Sequence, residues 1–458
     1  MKKKIKFNLI ILLCITMVFF ACYVKKETTP EPNLWDLVDE LNQVIIPING
    51  SAPNLDTGDL KCLDFLGDVK IVGLGEATHG TKEFFQMKHR IFKYLVEEHG
   101  FKAFGFECDF AESLYFDKYI TTGQGDLEEL MKKKMNYWVW RTEEVKALLE
   151  WMRNYNNGKA GEDMIHYYGI ECFCFPYYAD FLTEYLQGVS RELLDASASL
   201  LTKIKNLDRI EDEYENMSKE EFEQFQEDLQ WLYDRWVENE DEFVSISGRR
   251  EYEISKHLVR GVAQANHQYY ENYQGRTRFN WRDQYMAENA LWLLDLLGEN
   301  EKIALWAHNR HVANHYCTDF IWSVGGYMGY YLKQELAENY QIIGFSFSTG
   351  AFNAWGRNPR GGKQSGLYRF YIDSVPMRDS INFLFYHAQH DNFMLNFSTL
   401  SPNSQLRDWL TGPKLFLYIG AGYSNNPKDY YYITPLLEHY DVLINFDHTS
   451  EAGIIKTG

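Results

Sequence analysis

Glu76, His79, Glu107, Glu171, His308 and His311 each stand at or just beyond the end of a short apolar run. In an open α/β sheet, ligands collect at the carboxyl ends of strands, so such placement can gather groups that are far apart in the chain. One His or Glu there is usually a helix cap or a satisfied core group; several together mark a site. Imidazole titrates near neutrality, so His79 can take a proton from water at physiological pH. A neighbouring carboxylate, Glu76 or Glu107, would fix its tautomer and raise its basicity. His308 and His311, as N–H donors, could stabilise the oxyanion formed when water attacks an ester carbonyl. The same side chains could instead hold a divalent metal, since two histidines and a carboxylate suit zinc or iron. The metal would polarise the carbonyl and activate water, leaving the reaction class unchanged. Metal-free hydrolysis, with no cofactor, is the preferred expectation.

Other chemistries fit the sequence less well. Gly73-Leu74-Gly75 follows an apolar run and precedes a helical pattern, but Thr78 replaces the third glycine of a dinucleotide loop. Glu76 would also put a carboxylate where a pyrophosphate must lie. Gly356 to Gln364 resembles a P-loop one residue out of register, without the Ser or Thr that would hold magnesium. Gly344-Phe345-Ser346-Phe347-Ser348 fails as a serine nucleophile elbow at its last position.

The elements that must position these groups are legible as alternating patterns. Apolar runs rich in Val, Ile and Phe occur at Val69–Leu74, Ala103–Phe106, Met164–Ile170, Lys302–Trp306, Gln341–Phe347, Lys414–Ile419 and Asp441–Asn445. Helical patterns lie between several of them, at Lys82–Glu98, Arg141–Asn154 and Arg282–Leu297. Together they predict an α/β fold with a central, mostly parallel sheet flanked by helices. A helical insertion is expected at about residues 180–260. Within it, Asp208 to Glu242 carries fifteen acids against three bases, Arg209, Lys219 and Arg235. Phe222, Phe225, Leu229, Leu232 and Trp236 form one apolar helix face there, opened by a Ser218/Glu221 capping box.

Lys2, Lys3, Lys4 and Lys6 precede an apolar run from Leu9 to Phe20, which ends at Ala21-Cys22. That run falls short of the roughly 20 apolar residues a membrane span needs. Residues 1–22 therefore read as a signal peptide of the lipoprotein type, with Cys22 lipidated, and 23–33 as a tether. Residues 34–458 would form one catalytic domain. The expected location is exported and membrane-anchored, in the periplasm or at the outer membrane, with the lipid anchor the sole membrane contact. Five further cysteines have no framework spacing, and Cys172-x-Cys174 reads as a buried half-strand pair. A net charge of −19 and a pI near 5.2 argue against nucleic acid as partner.

The run Gly75-Glu76-Ala77-Thr78-His79-Gly80-Thr81-Lys82-Glu83-Phe84, Glu107, and Ala307-His308-Asn309-Arg310-His311-Val312 resemble the erythromycin esterase family. Trp138-x-Trp140-x-Thr142 and the run Arg282 to Asn289 extend the likeness, which spans roughly Asn33 to the C-terminus. The resemblance implies hydrolysis of an ester or macrolide lactone without a metal, and hence macrolide resistance. It makes His79 the general base, with Glu76 and Glu107 beside it and His308 and His311 on the opposite wall. Lys88 stands where the family pattern has an arginine, keeping the charge but losing the bidentate fork. His311, Lys88, Glu83 and Glu171 are the expected substrate-binding residues. Trp138, Trp140, Phe352 and Trp355 near strand ends would suit a bulky apolar ligand. A metal-dependent hydrolase at the same cleft, or a non-catalytic envelope protein binding glycans or small ligands, are the alternatives.

Overall fold

Successive residues of each central strand pack against different partners. Ile71 and Ile303 join one apolar cluster, whereas Val72 and Ala304 join another. Side chains alternate across a strand, so the two clusters lie on opposite faces of one sheet. Unbroken apolar runs are what a sheet covered on both faces requires. The computed structural model describes residues 32–207, 210–274, 279–318, 324–361 and 364–457.

Within those residues the sheet has ten strands: β1 (Ile46–Pro47), β2 (Ile71–Leu74), β3 (Ala103–Asp109), β4 (His166–Glu171), β5 (Ile303–Trp306), β6 (Tyr340–Arg357), β7 (Ser365–Ile372), β8 (Asn392–Asn396), β9 (Gly422–Tyr423) and β10 (Val442–Thr449). Their spatial order is β1-β8-β10-β6-β2-β5-β3-β4, with β7 and β9 on the outer part of β6. All pairings from β10 through β4 are parallel, while β1–β8, β8–β10 and β6–β7 are antiparallel. The expected mostly parallel sheet is present.

One expected strand of the sheet lies elsewhere. Lys414–Leu417 pairs with Tyr431–Thr434 in a separate ribbon, because β10 is already flanked by β8 and β6. The apolar run Asn382–Tyr386 belongs to a short helix, Ile381–Tyr386, capped by the Ser380 hydroxyl on the Phe383 N–H at 3.0 Å. The stretch resembling a P-loop carries the chain from β6 to β7 in an antiparallel hairpin, with residues 362–363 outside the described part.

Helices cover both faces. α1 (Lys82–His99), the outer end of α2 (Phe110–Thr122) and α3 (Glu143–Asn156) pack on the Val72 side. From β4 to β5 the chain runs through α4 (Phe175–Val189), α5 (Arg191–Lys205), α6 (Ile210–Asn216), α7 (Lys219–Glu238), α8 (Glu240–Ser247), α9 (Arg249–Tyr273) and α10 (Trp281–Leu297), on the Ile71 side. The capping box of α7 forms: Glu221 N–H donates to the Ser218 hydroxyl at 3.1 Å, and Ser218 N–H donates to the Glu221 carboxylate at 2.9 Å. Phe225, Leu229, Leu232 and Trp236 are buried, each burial contributing about 1.5–3 kcal/mol.

The described cysteines are all free thiols. Cys172 and Cys174 lie beyond the end of β4, not within a strand, and Cys174 is only half-buried at the start of α4. The leader, Cys22 and the tether up to residue 31 lie outside the described residues. Among the described residues, no helix is long and apolar enough to cross a membrane.

Candidate active site

β2, β5, β3 and β4 are consecutive neighbours, and their carboxyl ends carry the residues singled out in the sequence. The loop after β2 is held tightly enough to exclude side chains at its glycines. A Cβ on Gly75 would meet Asn309 Oδ1 at 2.3 Å, and one on Gly80 would meet the Asn353 carbonyl at 2.1 Å. These glycines serve close packing of the loop.

Glu76 at the head of that loop is fully buried and accepts three hydrogen bonds. His79 Nδ1 donates at 2.6 Å, Lys88 Nζ at 2.7 Å and Trp306 Nε1 at 3.0 Å. Lys88 reaches in from α1, is itself fully buried, and also donates to the Ala307 carbonyl at 3.2 Å. Burial pushes its ammonium down to about 8, against the pull of Glu76. A carboxylate on Nδ1 leaves the His79 lone pair on Nε2.

The loop after β5 presents the second imidazole. Asn309 anchors it, accepting the Phe345 N–H at 3.0 Å and donating to the Phe345 carbonyl at 2.7 Å. His308 Nδ1 accepts the Arg310 N–H at 3.2 Å, which places the ring proton on Nε2. That Nε2 is buried and has no hydrogen-bond partner among the described residues. Burial, reinforced by His79, holds the His308 imidazole well below its usual pKa and so neutral. The His79 and His308 rings are 5.0 Å apart between centroids.

Behind them lies an ionic cluster. Arg282, in the first turn of α10, donates to both Glu171 oxygens at 2.7 Å and to Glu107 at 2.8 Å. The other Glu107 oxygen accepts the His308 N–H at 2.8 Å, tying the cluster to the β5 loop. His311 Nδ1 donates to Asp283 at 2.6 Å, and His311 Nε2 stands 3.2 Å from Glu107. Burial disfavours charge on His311, but Asp283 and Glu107 outweigh it and raise the ring to about 9. Burial likewise acts against ionised Glu107, yet His311 and Arg282 hold it well below the usual carboxylate range.

The structure thus brings His79, Glu76, Glu107, His308, His311, Lys88 and Glu171 into one constellation. Several occupy different places in it from those expected. Glu107 lies inside β3, where the pairing with β4 shifts register, and Glu171 is the last residue of β4. Lys88 is sealed behind Glu76, where it meets no solvent, so it positions Glu76 instead of touching a substrate. Glu171 is buried in a bidentate pair with Arg282. Glu83 stands apart: both its oxygens are held by Ser450, from the N–H at 2.7 Å and the hydroxyl at 2.7 Å. It ties the C-terminal segment to α1. Trp140 and Phe352 are core, and Trp355 is exposed on the outer part of β6, so they do not form an aromatic wall. Trp140 instead donates its Nε1–H to the Glu107 carbonyl at 3.0 Å and sets its ring against His79.

Arg282, Asp283 and Trp306 were not assigned to the site by sequence reasoning, although the run from Arg282 carried part of the family likeness. One signal was available: a cation in the first turn of a helix opposes the helix dipole, and needs carboxylates to hold it there. Among the described residues, no three His, Cys, Asp or Glu side chains converge as a metal would require.

The chain is similar to known proteins over most of its length. A 337-residue stretch is 24% identical to erythromycin esterase type II of Escherichia coli, covering 67% of this chain and 75% of that protein. A putative hydrolase of Bacillus subtilis, YbfO, is 25% identical over the full length of both chains. A crystal structure of a Bacillus cereus protein superposes with a TM-score of 0.79 at 24% identity, over 92% of this chain and 99% of that one. The sequence profile of erythromycin esterase matches residues 96–449, which include the β3, β4, β5 and α10 parts of the constellation. The chain belongs to the erythromycin esterase family.

Proposed function

We propose that the protein hydrolyses a carboxylic ester or lactone, with His79 as the general base for the attacking water. The observation that carries this reading is the pair of opposed imidazoles. His79 offers a lone pair on Nε2 because Glu76 takes its Nδ1–H, and His308 offers an Nε2–H because Arg310 donates to its Nδ1. One ring can accept a proton while the other donates a hydrogen bond, across a 5.0 Å separation of ring centroids.

In this reading water attacks the carbonyl carbon and its proton passes to His79 Nε2. The carbonyl oxygen becomes an oxyanion held by His308 Nε2–H. Collapse breaks the bond to the alcohol oxygen, which takes the proton from His79. The products are a carboxylic acid and an alcohol, or a ring-opened hydroxy acid from a lactone. Lys88 pairs with the Glu76 carboxylate beside His79, and the Arg282 cluster fixes the His308 loop through Glu107.

Macrolide lactones are the first substrates to test, since a relative is named for erythromycin. Hydrolysis of a panel of macrolides and simple esters by the wild type, abolished in His79→Ala and unaffected by chelator, supports the proposal. No turnover of any ester, or full activity in His79→Ala, sinks it. We further propose that the protein is exported and lipid-anchored through Cys22, on the strength of the charged start and the apolar run to Ala21. Labelling with radioactive palmitate should mark the wild type and spare Cys22→Ser; equal labelling of both rejects the anchor.

A further inference from the structure

Arg310 differs from the other cations around the two imidazoles. Lys88 is paired with Glu76, Arg282 with Glu107 and Glu171, and His311 with Asp283. No carboxylate pairs with the Arg310 guanidinium among the described residues. It donates to the Tyr327 hydroxyl and lies over the Tyr327 and Tyr432 rings, 5.1 and 5.6 Å from their centroids. Tyr432 stacks on Tyr418 at 4.6 Å, and Tyr418 meets the His308 ring at 5.7 Å. A run of ring contacts therefore connects His308 to a guanidinium that is only half-buried. The remaining nitrogens of a guanidinium form a planar fork suited to two anionic oxygens.

We propose that Arg310 is a specificity residue that receives a carboxylate on the substrate, several bonds from the ester or lactone carbonyl that His79 and His308 act upon. One unpaired cation matches a monoanion; a phosphate dianion would leave charge uncompensated in a partly desolvated site. The tyrosine rings would cover the apolar chain between the two ends. On this view the preferred substrate is a monoester, or lactone, of an acid bearing a second carboxylate. The proposal rests on the hydrolase reading above and assigns its substrate class.

The test compares 4-nitrophenyl monoglutarate with 4-nitrophenyl valerate, which share a chain length and differ in the terminal carboxylate. Wild type should prefer the monoglutarate in kcat/KM by about 10- to 100-fold, the range of a charge-assisted hydrogen bond. In Arg310→Gln that ratio should fall toward one, chiefly through KM, and Arg310→Lys should restore part of it. The backbone N–H that Arg310 gives to His308 is retained in both variants. A wild-type ratio near one, or equal loss on both esters in Arg310→Gln, overturns the proposal and leaves Arg310 a charge-balancing group. If neither ester turns over, the hydrolase reading has failed, and calorimetry with monomethyl glutarate decides this proposal separately. Binding by wild type that Arg310→Gln loses supports it, whereas equal binding or none overturns it.

Discussion

The strand-end cluster and the α7 region are both rich in acids, and they use them in opposite ways. In α7 the acidic residues face solvent, over a buried apolar stripe of Phe225, Leu229, Leu232 and Trp236. One of its ion pairs, Lys219–Glu223 at 2.7 Å, joins side chains that are more than half exposed. Exposed pairs of that kind contribute little. At the strand ends, Glu76, Glu107, Glu171 and Asp283 are buried, and each is matched to a buried or half-buried cation. Desolvation makes every one of those charges dependent on its partner. Acid count alone therefore says nothing about where chemistry is done; burial and pairing do.

The sharpest way to break the comparison is at His79. Replacing it with alanine should lower kcat/KM by about 10²–10⁴-fold while leaving thermal unfolding nearly unchanged, because Glu76 keeps Lys88 and Trp306. Glu76→Gln should behave differently, since it strands Lys88 without a counter-ion. Unfolding in denaturant should show a loss of about 3–5 kcal/mol, together with loss of activity. Adding Lys88→Met should recover much of that stability and none of the turnover. Recovery of turnover as well would mean that Glu76 does not orient His79.

A comparable stability loss in the helical region should carry no catalytic signature. Leu232→Ala is expected to destabilise by about 2–5 kcal/mol, with kcat/KM unchanged at temperatures where the variant stays folded. Glu223→Gln on the exposed face should shift stability by less than about 0.5 kcal/mol. An effect on turnover from either change would show that the helical region communicates with the site.

Charge burial also fixes the pH response. His311 is raised from its ordinary value to about 9, so its contribution to stability is complete below pH 6.5 and is lost as pH rises through 9. Unfolding of wild type and His311→Asn across pH 6–10 should converge at the alkaline end. Glu107 is shifted the other way: its contribution is present above the ordinary carboxylate range and lost in acid. Lys88, lowered to about 8, should give activity an alkaline limb near that pH as its ammonium is lost. A limb unmoved by Lys88→Arg would assign it elsewhere.

Much of this architecture was legible in the chain. Continuous apolar runs named six of the sheet's strands, because a strand buried on both faces leaves an unbroken signal. Ser365–Ile372 left a weaker one: β7 pairs along one edge of an extension, and its outward residues are polar or exposed. Lys414–Leu417 has the composition of a core strand, yet which strand it joins is settled by neighbours distant in sequence. Strand-end position also picked out Glu76, His79, Glu107, Glu171, His308 and His311, since a parallel sheet puts all its carboxyl ends on one edge.

Sequence by itself determined the residue types that could exchange protons and the strand ends that would carry them. The tertiary structure decided which of them stand opposite one another and which hold the others. Lys88, Glu171 and Glu83 were expected to bind substrate; in the fold Lys88 and Glu171 are sealed braces, while Glu83 holds the C-terminal segment. Arg282, more than a hundred residues from either carboxylate it grips, became the centre of the cluster. Pairing of buried charges depends on distance through space and on exclusion of water, and neither is written in local sequence pattern.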